Sequence, residues 1–243
     1  MSKEFWDDTG KVLRRLGTSE DIKPKLLRLL PYDADLLRMQ SETVHFPLSG
    51  EDMELITNML YSVEEPQLLA ANAPWPSAAG MAAPQWGVSR RIFVIQRQYL
   101  ESKRRSTADN AILGGSDGFT VVINAEYIGL TIEEAKEDDQ DGGIDKQKDN
   151  EHPRVNAVGR VTTSQREVRD WEGCFSVPGM SGFVRRYRAI RATFSSMDGN
   201  KHSMILYGWP ARVFQHETDH TEGRLFDDAQ ADRCSRKLVV KLQ

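Results

Sequence analysis

FQHETDH, residues 214–220, sets His216 and His220 four apart with Glu217 between them, in a chain of 243 residues that has only five histidines. Side chains four apart share one face of a helix, so the two imidazoles can converge on one ion while Glu217 stays near its open side. That is a zinc-type half-site. Two histidines packed near a core would show the same spacing, so a third ligand has to decide between the readings. Pro210 at a first helical position and Gly223 just past the end bracket the helix that carries the motif.

Known zinc-protease arrangements take their third ligand from downstream. Here Phe226 stands where a third His belongs, no Glu follows Glu222, and no Met follows to form a Met-turn. Upstream, WEGCFSVPG (171–179) offers Cys174 in a turn-prone stretch just before a strand. A lone cysteine also serves well as a small buried hydrophobe.

The composition limits the alternatives. The length and a 39% hydrophobic content suit one sizeable core, read as a single domain over 1–243 with an N-terminal extension over about 1–35. A net charge of −4 gives no overall attraction to nucleic acid or to an anionic membrane. No apolar run approaches the roughly 20 residues that span a bilayer. The acidic start MSKEFWDDTG looks like neither a secretory signal nor a transit peptide. Cys174 and Cys234 are the only cysteines, which argues for a reducing compartment and against a disulfide framework.

Around the motif the pattern reads as α+β. Ser49 and Asp52 mark a helix start; Met53, Ile56, Met59, Leu60 and Val63 share its buried face, and Pro66 is expected to end it. AAGMAAPQWG (78–87) is too small and interrupted for a packed helix. RRIFVIQRQY and FTVVINAEYIGLT read as strands separated by a turn-rich GGSDG. Ile190, Ala192 and Phe194 alternate with polar residues, and Asp198-Gly199 marks a hairpin into HSMILYGW, so the sheet is antiparallel there. Between Glu133 and Glu151 lie nine acidic and three basic residues with almost nothing apolar. The stretch from about 132 to 156 is therefore expected to be a mobile surface insertion.

AAGMAAPQ, EGCFS and QHETDH, in this order and spacing, resemble the three motifs of the peptide deformylases, and GWPARVFQHETDH is similar to the mitochondrial and related branches. The resemblance covers roughly residues 36–228 outside the acidic stretch. It implies antiparallel strands packed around a central metal-binding HExxH helix. It also implies a divalent ion, ferrous iron with zinc, nickel or cobalt as alternatives, held by Cys174, His216 and His220 with water in the fourth position. The implied reaction removes the N-formyl group from formylmethionyl peptides and releases formate. Glu217 would be the base, and the Gln85 side chain and the Phe175 backbone N–H the donors to the developing oxyanion. Gly80, Ala78 and Met81 would line the substrate, Gly80 because the absence of a Cβ lets a peptide backbone come close. Glu172 and Arg186 are expected to pair across the cysteine loop.

This chain departs from the family pattern at Ala78 (a glycine there), Phe175 (leucine), Ala125 (proline) and Thr221 (leucine). The Ala78 methyl is expected to narrow the approach to the site. The resemblance further implies a monomer in transient contact with the ribosome, in a bacterial cytoplasm or an organelle matrix, without nucleic-acid or membrane partners. The long C-terminal helix of bacterial relatives is shortened or absent. Two readings stay open beside it: another metalloamidase or peptidase, and a non-catalytic or altered-specificity relative that binds nascent chains.

Overall fold

In a computed structural model of the protein, residues 24–100, 118–138, 166–227 and 240–241 are described. The helices are α1 (Gly50–Ser62), α2 (Glu65–Ala70), α3 (Ile132–Asp138) and α4 (Gly208–Thr221). The strands are β1 (Gly80–Ala82), β2 (Ile92–Gln96), β3 (Phe119–Leu130), β4 (Glu167–Gly173), β5 (Met180–Tyr187), β6 (Ala189–Ser195), β7 (Lys201–Tyr207) and β8 (Val240–Lys241). They form a five-stranded antiparallel sheet ordered β1-β2-β3-β6-β7 and a three-stranded one ordered β4-β5-β8. The architecture is α+β.

The run Ile92-Phe93-Val94-Ile95 is buried at every position. A strand wet on one face alternates, so an unbroken apolar run needs cover on both faces. Ile92 and Val94 pack with Ile56, Met59 and Leu60 of α1. Phe93 and Ile95 pack with Ala211 and Phe214 of α4, the two phenylalanines edge to face at 5.3 Å. The opposite side of α4 reaches the smaller sheet, where the Arg212 guanidinium donates to the Val184 and Val168 carbonyls and the Gln215 amide pairs with the Tyr187 backbone. The motif helix thus packs on the larger sheet through Ala211 and Phe214 and hydrogen-bonds to the smaller one through Arg212 and Gln215.

Several boundaries differ from the sequence expectation. The Ser49–Asp52 capping box forms, but α1 ends at Ser62 and Pro66 instead sits in the first turn of α2, where its missing N–H costs nothing. Pro210 is the third helical residue of α4, because Gly208 and Trp209 already belong to it. Gly223 does follow the helix, at φ +70°, and a Cβ there would meet the Arg38 backbone at 2.7 Å. The start of the acidic stretch is not loose surface. Thr131 and Glu134 form a reciprocal cap for α3, and Ala135 is fully buried beside Leu130 and Ala189, with its carbonyl accepting from the Tyr207 hydroxyl. The remainder of that stretch, the GGSD of the expected turn and Cys234 lie outside the described residues.

The described residues ahead of α1, those of the N-terminal extension and the stretch that follows it, are laced onto the rest of the molecule. Lys25 and Leu27 donate backbone N–H groups to Asn58 and Ser62 of α1, Leu30 to the Gln85 carbonyl, and Ser41 to the carbonyl of Thr221 at the end of α4. Asn124 sits in a β-bulge of β3 at φ +52°, and its amide both donates to and accepts from the Val44 backbone.

Candidate active site

Three elements bring the site together. The loop after β4 carries Cys174, α4 carries His216, Glu217 and His220, and the 3-10 turn after β1 (Ala83–Trp86) carries Gln85. One ligand atom each from Cys174, His216 and His220 lies within 4.8 Å of the others. Cys174 Sγ is 3.2 Å from His220 Nε2, and the two imidazoles meet edge to face at 4.9 Å.

His216 is oriented by Glu172. Its Nδ1 lies 2.9 Å from Glu172 Oε2, and since a carboxylate only accepts, the proton sits on Nδ1 and the Nε2 lone pair is left for the site. Glu172 also receives two hydrogen bonds of 2.9 Å from Arg186 and one of 2.6 Å from Arg212. Arg186 reaches on to Asp219, which Arg224 holds from the other side. Burial alone would raise the Glu172 carboxyl, yet the charge of Arg186 and the hydrogen bond from His216 hold it well below the usual carboxylate range. Burial pushes His220 down, toward the neutral form that a metal ligand needs.

Glu217 is buried, and burial pushes its carboxyl up to about 7. Its Oε2 and His220 Nδ1 are both buried without a hydrogen-bond partner among the described residues. A Cβ at Gly80 would stand 2.8 Å from Glu217 Cγ and 2.9 Å from its Oε1. The glycine therefore makes room for the glutamate itself, which is a tighter requirement than the approach of a peptide.

Gln85 is aimed by its own backbone. The Ala82 N–H donates to Oε1 at 2.8 Å, which fixes the amide and turns Nε2 toward Ser176 Oγ at 3.1 Å and Cys174 Sγ at 3.7 Å. Phe175 follows Cys174 with its ring edge to face against Trp75 at 5.2 Å. A cleft opens here, lined by Ala79, Gly80, Gln85, Glu172, Gly173, Cys174, Phe175, Trp209, Arg212, Val213, His216 and Glu217.

Two of the expected substrate-lining residues are elsewhere. Ala78 and Met81 are buried in the cluster around α1, with Met53, Ile56 and Val94, and neither lines the cleft. The Ala78 methyl consequently fills core and does not narrow an entrance, and Ala79 takes the lining position. Trp209, Arg212 and Val213 were not singled out from the sequence. Their spacing from His216, seven, four and three residues back, puts them on its helical face, and that periodicity was the available signal.

The residues fit a divalent cation. A thiol sulfur and two imidazole nitrogens converge, one ring nitrogen is presented by a carboxylate behind it, and an unpartnered carboxylate oxygen stands beside them. Comparison with known proteins identifies the family. The sequence pattern of the polypeptide deformylase family matches residues 26–236. "Peptide deformylase 2" of Rickettsia conorii is 28% identical over 205 residues, covering 84% of this chain and 78% of the relative. The peptide deformylase of Ligilactobacillus salivarius is 29% identical over 195 residues, covering 79% and 83%. Among solved structures, a probable peptide deformylase from a Synechococcus phage superposes with a TM-score of 0.51 at 26% identity, over 82% of this chain and 97% of that one. An actinonin-bound class I type b peptide deformylase from Acinetobacter baumannii gives 0.53 at 20% identity, over 87% and 99%, and supports the fold. With the match running through all three site-bearing elements, the chain belongs to the polypeptide deformylase family.

Proposed function

We propose that the protein removes the formyl group from peptides beginning with N-formylmethionine, using a divalent ion, ferrous iron in the native enzyme, held by Cys174, His216 and His220 on a central metal-binding helix. The observation that carries this reading is the convergence of the three ligand atoms beside a cleft that Cys174, His216, Glu217 and Gln85 line. When bound, such an ion supplies Lewis acidity and lowers the pKa of water from about 15.7 toward about 7.

The chain's own groups account for the remaining steps. Glu217, with its carboxyl near 7, takes a proton from the attacking water and returns it to the departing amine. Water oxygen bonds to the formyl carbon, the carbon–nitrogen bond breaks, and the products are formate and a free amino terminus. Negative charge on the formyl oxygen is met by Gln85 Nε2, already aimed into the site by the Ala82 N–H, and by the Phe175 backbone N–H. The cleft walls of Val213, Trp209 and Ala79 receive the first side chain. The enzyme works as a monomer where formylated chains are made, a bacterial cytoplasm or an organelle matrix, in passing contact with the ribosome.

The test is anaerobic formate release from a formyl-Met tripeptide, with ferrous iron and in parallel with nickel. Wild type is expected to turn over with about one metal per chain, and Cys174→Ala to lose metal and activity together. Glu217→Gln is expected to keep the metal and lose about 100-fold or more in kcat. Full metal in the Cys174 variant, or near wild-type kcat in the Glu217 variant, would overturn the assignment of that residue. A metal-loaded wild type that releases no formate would overturn the function.

A further inference from the structure

We infer that Tyr99 is a positioning residue that tunes which first residue the cleft accepts, by holding the Trp209 wall in place. The inference rests on the deformylase reading above and deepens it.

Trp209 lies in the first turn of α4, two turns before His216 and on the same face, with Val213 between them. It is 44% exposed, so its indole stands at the rim of a cleft open to water rather than in packed core. A large ring at a rim can change rotamer unless something ties it. Here the indole Nε1–H donates to the Tyr99 hydroxyl at 3.0 Å. Indole has that one donor and no acceptor, so a single hydrogen bond fixes the direction of the ring.

Tyr99 is itself on a firm mount. It ends the 3-10 turn Arg97–Tyr99 that continues β2, and its ring packs against the cluster containing Phe93, Val122 and Phe214. Leu100 next to it is buried and closes the turn by donating to the Arg97 carbonyl, while the Arg97 N–H donates to Gly118. Tyr99 does not line the cleft and has no part in the reaction. Its hydroxyl acts only through Trp209.

A long, unbranched apolar side chain would run along the wall made by Val213 and Trp209, whereas an alanine methyl would stop short of the rim. Loosening the indole should therefore weaken binding of the long side chain and leave the short one alone. The reacting groups sit at the other end of the face, so kcat should hold.

The experiment compares wild type, Tyr99→Phe, Trp209→Phe and the double variant, all metal-loaded. Steady-state constants are measured for formyl-Met-Ala-Ser and formyl-Ala-Ala-Ser, and Kd for the deformylated peptide Met-Ala-Ser is measured by calorimetry, a readout independent of turnover. Tyr99→Phe removes one hydroxyl and is expected to raise KM and Kd for the methionine peptides by about 3- to 10-fold, the scale of one hydrogen bond. We expect kcat within twofold, unchanged constants for the alanine peptide and an unchanged unfolding midpoint. In the Trp209→Phe background, Tyr99→Phe should add nothing, since the bond it removes is already absent.

Equal shifts for both peptides, an unchanged Met-to-Ala ratio, or full additivity of the two substitutions would overturn the wall. Wild type that turns over while any of these holds would remove the inference alone. Wild type that binds Met-Ala-Ser without releasing formate would remove the deformylase reading, and the same Kd comparison would then decide the wall. Wild type that neither turns over nor binds the peptide would overturn both.

Discussion

Gly80 shows how much a single hydrogen atom decides. The residue type was readable as a place of close approach, but the chain alone could not say what approaches. The neighbour is Glu217, 137 positions away in sequence and less than 3 Å from an added Cβ. Gly80→Ala is therefore expected to swing the carboxylate out of place and lower kcat by about 100-fold, the scale of losing a positioned general base, with KM and metal content little changed. A rise confined to KM would show that the glycine serves substrate approach instead. Ala78 and Met81 illustrate the reverse error: they belong to the same motif, but membership in a motif does not fix direction, and both side chains turn into the α1 core. The four-residue spacing pointed to His216 and His220 and rarity to Cys174, whereas Gln85 was suggested by the family resemblance alone. Trp209 and Tyr99, 110 residues apart and joined by one hydrogen bond, carried no comparable signal.

At the level of elements, periodicity told most. The four-residue spacing of the histidines gave α4, the capping box gave the start of α1, and the alternation after Ala189 gave the β6–β7 hairpin. What failed was composition used as a substitute for pattern. Nine acidic residues suggested a loose insertion, while Thr131 and Glu134 at its start already spelled a helix cap, and Ile132 with the buried Ala135 docks the helix. Ala135→Asp tests that docking. A carboxylate in place of the buried methyl is expected to cost about 2 kcal/mol or more, read as a lowered urea midpoint at unchanged slope. An unchanged midpoint would mean that α3 contributes nothing to the folded unit.

Across the whole molecule, the charges around Glu172 tie β4, β5 and α4 together. Glu172 and Arg186 have side chains only 3% and 2% exposed, and Arg212 and His216 share the same carboxylate. The Glu172–Arg186 pair was legible from the motif, whereas Arg212 looked like any helical arginine, because burial of a charge is a property of the assembled packing. Removing one member of such a group strands the others away from water. Glu172→Ala is expected to cost about 3–5 kcal/mol in chemical unfolding, well beyond an exposed pair such as Lys25–Glu54. A loss of less than about 1 kcal/mol would mean that water reaches the arginines and screens them. The same variant frees the His216 ring, so metal content should fall as well.

The lacing of residues 25–44 has a consequence for the order in which this chain can be finished. Its partners are Asn58 and Ser62, then Gln85, then Asn124, and at the far end the carbonyl of Thr221. A ribosome delivers these in sequence, so the segment can tie its nearest knots early but must wait for a further 180 residues, from 41 to 221, before Ser41 finds its partner. Until then the end of α4 lacks its strap, and late closure of that kind is slow because distant contacts are made only after the intervening chain has been ordered.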